Sequence, residues 1–150
     1  MESLVFDTRF HNVDQLVGGV AESILQYKDL NGFAALVQDS VTASPTLRKY
    51  ALDLWRATKA PMDYGVKVSG VDMNRLVLSG ASPRGMSMLL AAARVNAWLN
   101  ERDAVLPDDI HAVFHETIAH RLVFSPVYEM RRGEIAREML DGIVNAVAAP

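Results

Sequence analysis

Apolar residues recur at helical spacing along most of this chain, and that periodicity restricts the fold more than any other feature. Residues three and four apart share one face of a helix, so each apolar stripe needs a partner surface to cover it. Residues 62–79 differ, because two β-branched patches between turn-forming residues are typical of a small β-hairpin or an ordered loop. The sequence therefore predicts an all-α or mainly α helical bundle, with a possible small β-hairpin at about 62–79.

Two of the predicted helices begin with serine followed by proline. Ser44-Pro45 and Ser82-Pro83 each provide a side chain that can cap a helix and then proline at the first helical position. The helix that follows the second pair is expected to run to about Arg102. These two starts are the best-defined helix boundaries in the sequence.

Weaker signals predict four more helices. One is expected from Asp14, although two neighbouring glycines weaken it, and Asn31 could cap a short second one. The stretch "LPDD" starts a third, because Asp108 and Asp109 suit the positive end of a helix. Apolar residues at helical spacing over 135–147 predict the last.

Composition narrows the class of protein. The 150 residues carry a net charge of −3, and Arg131, Arg132 and Arg137 are too few for a convincing basic stripe, so neither nucleic acid nor an acidic membrane is an expected partner. A small helical DNA-binding domain is kept as a weaker alternative to the two functions considered at the end of this section. No run of about 18 apolar residues predicts a membrane span. The absence of cysteine fits a reducing cytoplasm, which is the expected location.

The sequence contains no self-contained active site. It has neither G-x-x-x-x-G-K-[ST] nor G-x-G-x-x-G, so a phosphate-binding loop is absent. In "HETIAH" the interval from His115 to His120 is five residues, which turns the two rings onto different helix faces, and alanine follows His111 where a zinc protease needs glutamate. We therefore predict no catalytic residue and no metal site in this chain alone.

One arginine occupies an unusual position. With Ser82 as cap and Pro83 first, Arg84 falls in the first turn of its helix, where the positive helix end disfavours a cation. Its planar fork of donors would lie beside unpaired backbone N–H groups, an arrangement suited to an anion such as phosphate. A surface arginine pointing into water is the alternative reading.

The residues around Arg84 carry a family resemblance. The stretch "SGASPRGMSMLLAAARVNAWLNERDAVLPDDIHAVFHETIAHRL", residues 79–122, resembles the C-terminal helical lid of MoxR-family AAA+ ATPases in three motifs: G-A-S-P-R, R-D-x-V-x-P-x-D-[IV] and H-R-L. "SPTLRKYALDLWRATK" is similar to the preceding lid helix with its L-x-x-A-T-[RK] ending. The resemblance covers roughly residues 36–150 and does not define the packing of residues 1–35, for which the end of a base domain is one interpretation.

The resemblance implies a role for Arg84 and a set of partners. Arg84 corresponds to the sensor 2 arginine, which reaches the γ-phosphate of ATP held by a separate base domain, with Ser82 and Pro83 supporting the helix start. ATP and Mg²⁺ would bind the intact protein, and none is expected on this chain alone. Implied partners are the protein's own base domain, neighbouring ring subunits and a von Willebrand factor A-domain protein. The implied role is chaperone-like maturation or metal-cofactor insertion.

Two hypotheses remain open at this point. The first is a noncatalytic lid domain that is part of an ATP hydrolase, in which case the missing P-loop lies in an upstream base domain and the chain is a fragment. The alternative is a freestanding helical protein-interaction module without nucleotide chemistry, in which Arg84 is a surface residue.

Overall fold

The computed structural model describes residues 26–150, and six α-helices hold most of that part of the chain. They are α1 (Leu30–Ser40), α2 (Pro45–Ala57), α3 (Met73–Leu76), α4 (Pro83–Leu99), α5 (Pro107–Ile118) and α6 (Arg132–Ala146). Two short strands, β1 (Val77–Ser79) and β2 (Val123–Phe124), form an antiparallel pair. The predicted mainly α fold is confirmed. No helix among these residues is both long enough and apolar enough to cross a bilayer.

The chain divides between Phe33 and Ala34 into two units. Of the first unit the structure describes residues 26–33, which contain a 3-10 turn and the beginning of α1. The second unit contains the other described residues, and the contacts discussed below lie within it. The helix predicted from Asp14 lies outside the described residues.

The starts of the first two helices differ in how well the sequence predicted them. Ser44 caps α2 as predicted, since its Oγ accepts a hydrogen bond of 3.1 Å from the Leu47 N–H and Pro45 is the first helical residue. Helix α1 instead begins at Leu30, so Asn31 is its second residue and not its cap.

The apolar stripes of α2, α4, α5 and α6 meet in one core. Its fully buried members include Leu54, Leu89, Ala93, Ala97, Ile110, Phe114, Ile118, Ile135, Met139, Leu140 and Ile143. Ala93 and Ala97 lie on α4, which makes its most extensive contact with α5, and their small side chains allow the two helices to approach closely. Burying each large aliphatic side chain contributes about 1.5–3 kcal/mol.

The hairpin considered for residues 62–79, with an ordered loop as its alternative, does not form within that stretch. β1 lies at the end of that stretch, but it pairs with β2, with Val77 opposite Phe124 and Ser79 opposite Val123. The Ser125 N–H extends the contact by donating to the Leu76 carbonyl at 2.9 Å. β1 and β2 are more than 40 residues apart, and pairing at that distance leaves no local signal in the sequence. The sequence alone therefore could not show whether β1 pairs within a hairpin or with a distant strand.

Helix α4 ends at Leu99, three residues before the predicted end at Arg102. The chain turns there because Glu101 adopts a left-handed backbone with a φ of 56°. A short parallel bridge then secures the connection: the Thr42 N–H donates to the Asp103 carbonyl at 2.8 Å, and the Val105 N–H donates to the Thr42 carbonyl at 2.9 Å.

Candidate functional site

Arg84 is the second residue of α4 and is exposed to solvent. Its side chain makes no hydrogen bond or ion pair with any other residue among 26–150. The first turn of α4 contains no acidic residue, so nothing in that turn offsets the positive charge at the positive helix end. Among residues 26–150, therefore, nothing neutralises the charge of this guanidinium.

The start of α4 is built differently from that of α2. Pro83 is the first helical residue and Ser82 occupies the N-cap position with extended backbone, φ −69° and ψ 164°. The Ser82 hydroxyl, however, makes no capping hydrogen bond, and its carbonyl accepts from the Gly85 N–H at 2.8 Å. The first turn of α4 therefore has no side-chain cap of its own.

Trp55, near the end of α2, supplies one contact to the start of α4. Its indole Nε1–H donates to the carbonyls of Ala81 at 2.7 Å and Ser82 at 3.1 Å, the two residues that precede the first turn of α4. The Nζ of Lys59 lies 4.0 Å from the centroid of the same ring, a cation–π contact. The ring therefore has contacts at both its edge and its face.

Thr58 supplies the second contact and is fully buried. Its Oγ1 donates to the Trp55 carbonyl at 2.7 Å and accepts from the Ala81 N–H at 3.2 Å. Gly80 lies so close that a Cβ there would be 2.6 Å from Lys59 Cγ and 2.8 Å from the Thr58 carbonyl oxygen. Only glycine fits this approach, which explains the glycine that precedes Arg84 by four residues.

A second guanidinium lies against the first turn of α4. Arg121 Cδ is 3.0 Å from where a Cβ on Gly85 would be, so the side chain crosses the helix where that residue has no side chain of its own. The Arg121 Nε–H donates to the Thr117 carbonyl at 2.9 Å. The sequence predicted no role for Arg121 beyond its place in the H-R-L motif.

Asp109 forms a buried ionic network at the other end of α4. Two hydrogen bonds of 2.6 Å join its carboxylate to the Arg102 guanidinium, and the Leu106 N–H and the Asn96 amide donate to it, each at 2.8 Å. Burial alone would raise the pKa of Asp109, but these hydrogen bonds, that from Arg102 first, hold the pKa below its ordinary value. The sequence assigned Asp109 to the helix start alone and missed this network.

The histidines of α5 and the following turn have separate surroundings. His111 Nε2 and Tyr50 Oη are hydrogen-bonded at 2.6 Å, and His120 Nδ1 lies 3.1 Å from the Glu116 carbonyl. Burial raises the pKa of the Tyr50 hydroxyl. Among residues 26–150 no three His, Asp or Glu side chains are grouped to hold a metal ion.

The contacts that fix Arg84 were not predicted by the sequence. Trp55 is half-buried, and its indole bond spans 26 residues to Ala81. The one available signal was the L-x-x-A-T-K motif at the end of α2 and directly after it. It contains Thr58 and Lys59 but does not indicate what their side chains contact.

Comparisons with known proteins agree with a helical lid fold. A family model described as "AAA lid domain" matches residues 73–141, from α3 into α6. The solved structure of a candidate ATPase from Cytophaga hutchinsonii aligns with a TM-score of 0.67 and 31% sequence identity, covering 77% of this chain and 33% of that one.

Three similar proteins carry the name of one family, MoxR. "Protein MoxR" of Methylorubrum extorquens is 43% identical over 147 residues, 98% of this chain and 43% of the relative. "Protein MoxR" of Paracoccus denitrificans is 43% identical over 99% of this chain and 44% of its own length. "Chaperone MoxR1" of Mycobacterium tuberculosis is 33% identical over 67% of this chain and 26% of its own. The chain thus spans less than half the length of each of these relatives.

Proposed function

Since this chain is an AAA lid domain of the MoxR family, we propose that it supplies Arg84 as a nucleotide-sensing arginine to ATP held by a separate base domain. In this role Arg84 contacts the γ-phosphate, stabilises the charge that develops during phosphoryl transfer, and loses its partner after hydrolysis. The loss of that contact lets the lid move between ATP and ADP states.

The observation that carries the proposal is the setting of Arg84. It is exposed, it lies in the first turn of α4 at the positive helix end, and no other described residue pairs with it. Placing a cation there costs a few tenths of a kcal/mol or more unless an anion arrives. A phosphate oxygen pair matches the two parallel N–H groups of a guanidinium, so bound nucleotide would offset this cost.

The chain alone is proposed to be noncatalytic. Its sequence has no P-loop, so the groups that hold ATP and Mg²⁺ and that position the attacking water would come from the base domain. Arg84 adds one contact to that machinery. The lid therefore changes position with the bound nucleotide and does not hydrolyse ATP by itself.

The wider role follows from the family. We propose that the parent protein works as a ring of ATPase subunits in the cytoplasm, each lid touching its own base domain and a neighbouring subunit. Chaperone-like maturation of other proteins, including metal-cofactor insertion, is the proposed output, with a von Willebrand factor A-domain protein as a partner. The name "Chaperone MoxR1" of one relative supports the chaperone part.

The test is ATP turnover with this lid joined to a P-loop base domain. Arg84→Ala should lower kcat about 100-fold or more, as removal of a donor to developing charge does elsewhere. Arg84→Lys should recover only part of the activity, because an ammonium cannot bind two oxygens side by side.

Arg137→Ala is the matched control. Arg137 is also exposed on a helix, α6, without a hydrogen bond or ion pair to another described residue, so its loss should leave kcat unchanged. If Arg84→Ala hydrolyses ATP as fast as this control, Arg84 is not a sensor and the freestanding interaction module becomes the better explanation.

A further inference from the structure

We propose that Trp55 and Thr58 are positioning residues for Arg84. When Arg84 binds nucleotide, they couple a displacement at the start of α4 to α2. The inference rests on the proposed function, because it assigns these residues to the same arginine. Neither side chain makes a hydrogen bond to Arg84, so their effect passes through the backbone of residues 80–82.

Three hydrogen bonds connect α2 to the segment before Arg84. Trp55 donates to the Ala81 and Ser82 carbonyls at 2.7 and 3.1 Å, and Thr58 accepts from the Ala81 N–H at 3.2 Å. Both polar groups of the Ala81 backbone are thus hydrogen-bonded to side chains, the carbonyl to Trp55 in α2 and the N–H to Thr58 directly after α2. Thr58 and Ala81 are fully buried, so water cannot replace the Thr58 bond if it is lost.

Residue 80 is packed tightly against Thr58 and Lys59. Backbone atoms of Thr58 and Lys59 would lie 2.8 Å from a Cβ on Gly80, which is van der Waals overlap for any other residue. The segment is therefore held by hydrogen bonds on one residue and by close contact on the residue before it. Sliding along α2 would break both.

The start of α4 has no side-chain cap of its own. Ser82 occupies the cap position without a capping bond, whereas Ser44 does cap α2. The direction in which the first turn presents Arg84 is therefore set by α2. Since a displacement of about 1 Å can cost up to 100-fold in rate, small changes in this contact should appear in catalysis.

The same contact couples Arg84 to the core. Thr58 follows the last turn of α2, where Leu54 and Ala57 are fully buried. A force on Arg84 that shifts Ala81 would act on α2 through side chains fixed in that core. The geometry thus provides a route from nucleotide to the body of the lid.

The experiment uses the lid joined to a P-loop base domain and measures kcat. Thr58→Val keeps the shape but removes the hydroxyl, and it should lower kcat about tenfold. Thr58→Ser should restore most of the rate, since the hydroxyl returns. Trp55→Phe, which removes the indole donor together with part of the ring, should lower kcat at least as much as Thr58→Val.

Thr117→Val is the matched control. Its hydroxyl also donates to a carbonyl of its own helix, that of Val113 at 2.7 Å, but it makes no bond to residues 80–82. Its kcat should stay within about twofold of the wild type. Melting temperatures of all variants identify any loss of rate that follows unfolding.

The decisive comparison combines Thr58→Val with Arg84→Ala. If Thr58 acts through Arg84, the double variant is no slower than Arg84→Ala alone. A double variant slower by a further tenfold overturns the positioning role, and so does a normal rate for Thr58→Val when Arg84→Ala is slow. A normal rate for Arg84→Ala overturns the proposed function and this inference together.

Discussion

Arg102 and Asp109 form a bidentate ion pair, with both N···O distances at 2.6 Å, that joins the end of α4 to the first turn of α5. The Asp109 side chain is 1% exposed, whereas that of Arg102 is 33% exposed. Asn96 and the Leu106 N–H complete the hydrogen bonding of the carboxylate. The buried charge is therefore fully partnered, which is the condition under which its burial is tolerated.

Asp109→Asn should destabilise the domain by about 3 kcal/mol, because it removes one member of a buried ion pair and leaves donors facing an amide. Asp108→Asn is the control, since Asp108 is exposed in the same helical turn and its change should stay within about 0.5 kcal/mol. Denaturant unfolding followed by circular dichroism measures both. Equal stabilities for the two variants would show that the network contributes little.

The same carboxylate predicts a pH dependence. The pKa of Asp109 is lowered on folding, so its contribution is fully present above the unfolded value, near 4, and is lost as pH falls through the depressed folded value. The stability difference between wild type and Asp109→Asn should be constant above about pH 5 and should shrink below about pH 4. Thermal melts from pH 7 to pH 3 measure it. If the stability difference between the two proteins instead shrinks above pH 6, a titratable group other than Asp109 is responsible.

Gly80→Ala should destabilise the domain by about 1–3 kcal/mol, because the added Cβ would overlap the backbone of α2's end. Gly133→Ala is the opposite case: nothing lies within 4 Å, and alanine in α6 should add up to about 1 kcal/mol. Melting temperatures of the two variants should therefore move in opposite directions. A stable Gly80→Ala variant would mean that residues 80–82 can move away from α2.

Tyr50→Phe should lower stability by about 1 kcal/mol, since it removes the hydrogen bond of 2.6 Å with His111 while keeping the buried ring. Tyr64→Phe is a suitable comparison, because Tyr64 is only half-buried and its hydroxyl makes no hydrogen bond with another residue among 26–150. Chemical denaturation would measure both changes. Equal changes in the free energy of unfolding for the two variants would show that the Tyr50–His111 hydrogen bond adds little stability.

The sequence predicted what depends on local physics. The start of α2 at Ser44-Pro45 is confirmed because a cap and a proline act within one turn, and the buried faces of α4 and α5 follow from helical spacing. The pairing of β1 with β2 and the end of α4 at Leu99 were not predicted, since one depends on a distant strand and the other on the left-handed backbone of Glu101.

The candidate site was predicted only in part. The sequence identified Arg84 and the order Ser-Pro-Arg at a helix start, and that role stays a prediction. It could not identify Trp55 and Thr58 as contacts, because their partners lie 26 and 23 residues away and their residue types fit an ordinary core equally well. The division into residues 1–35 and 36–150 also stays a prediction.

The most direct test of Arg84 is the affinity of the lid joined to a base domain for a nonhydrolysable ATP analogue and for ADP. In the wild type the γ-phosphate adds a contact, so the ratio of the two Kd values should favour the analogue. Arg84→Ala should remove most of that preference while leaving the Kd for ADP within about twofold. An unchanged ratio in Arg84→Ala would contradict a contact between this arginine and the γ-phosphate.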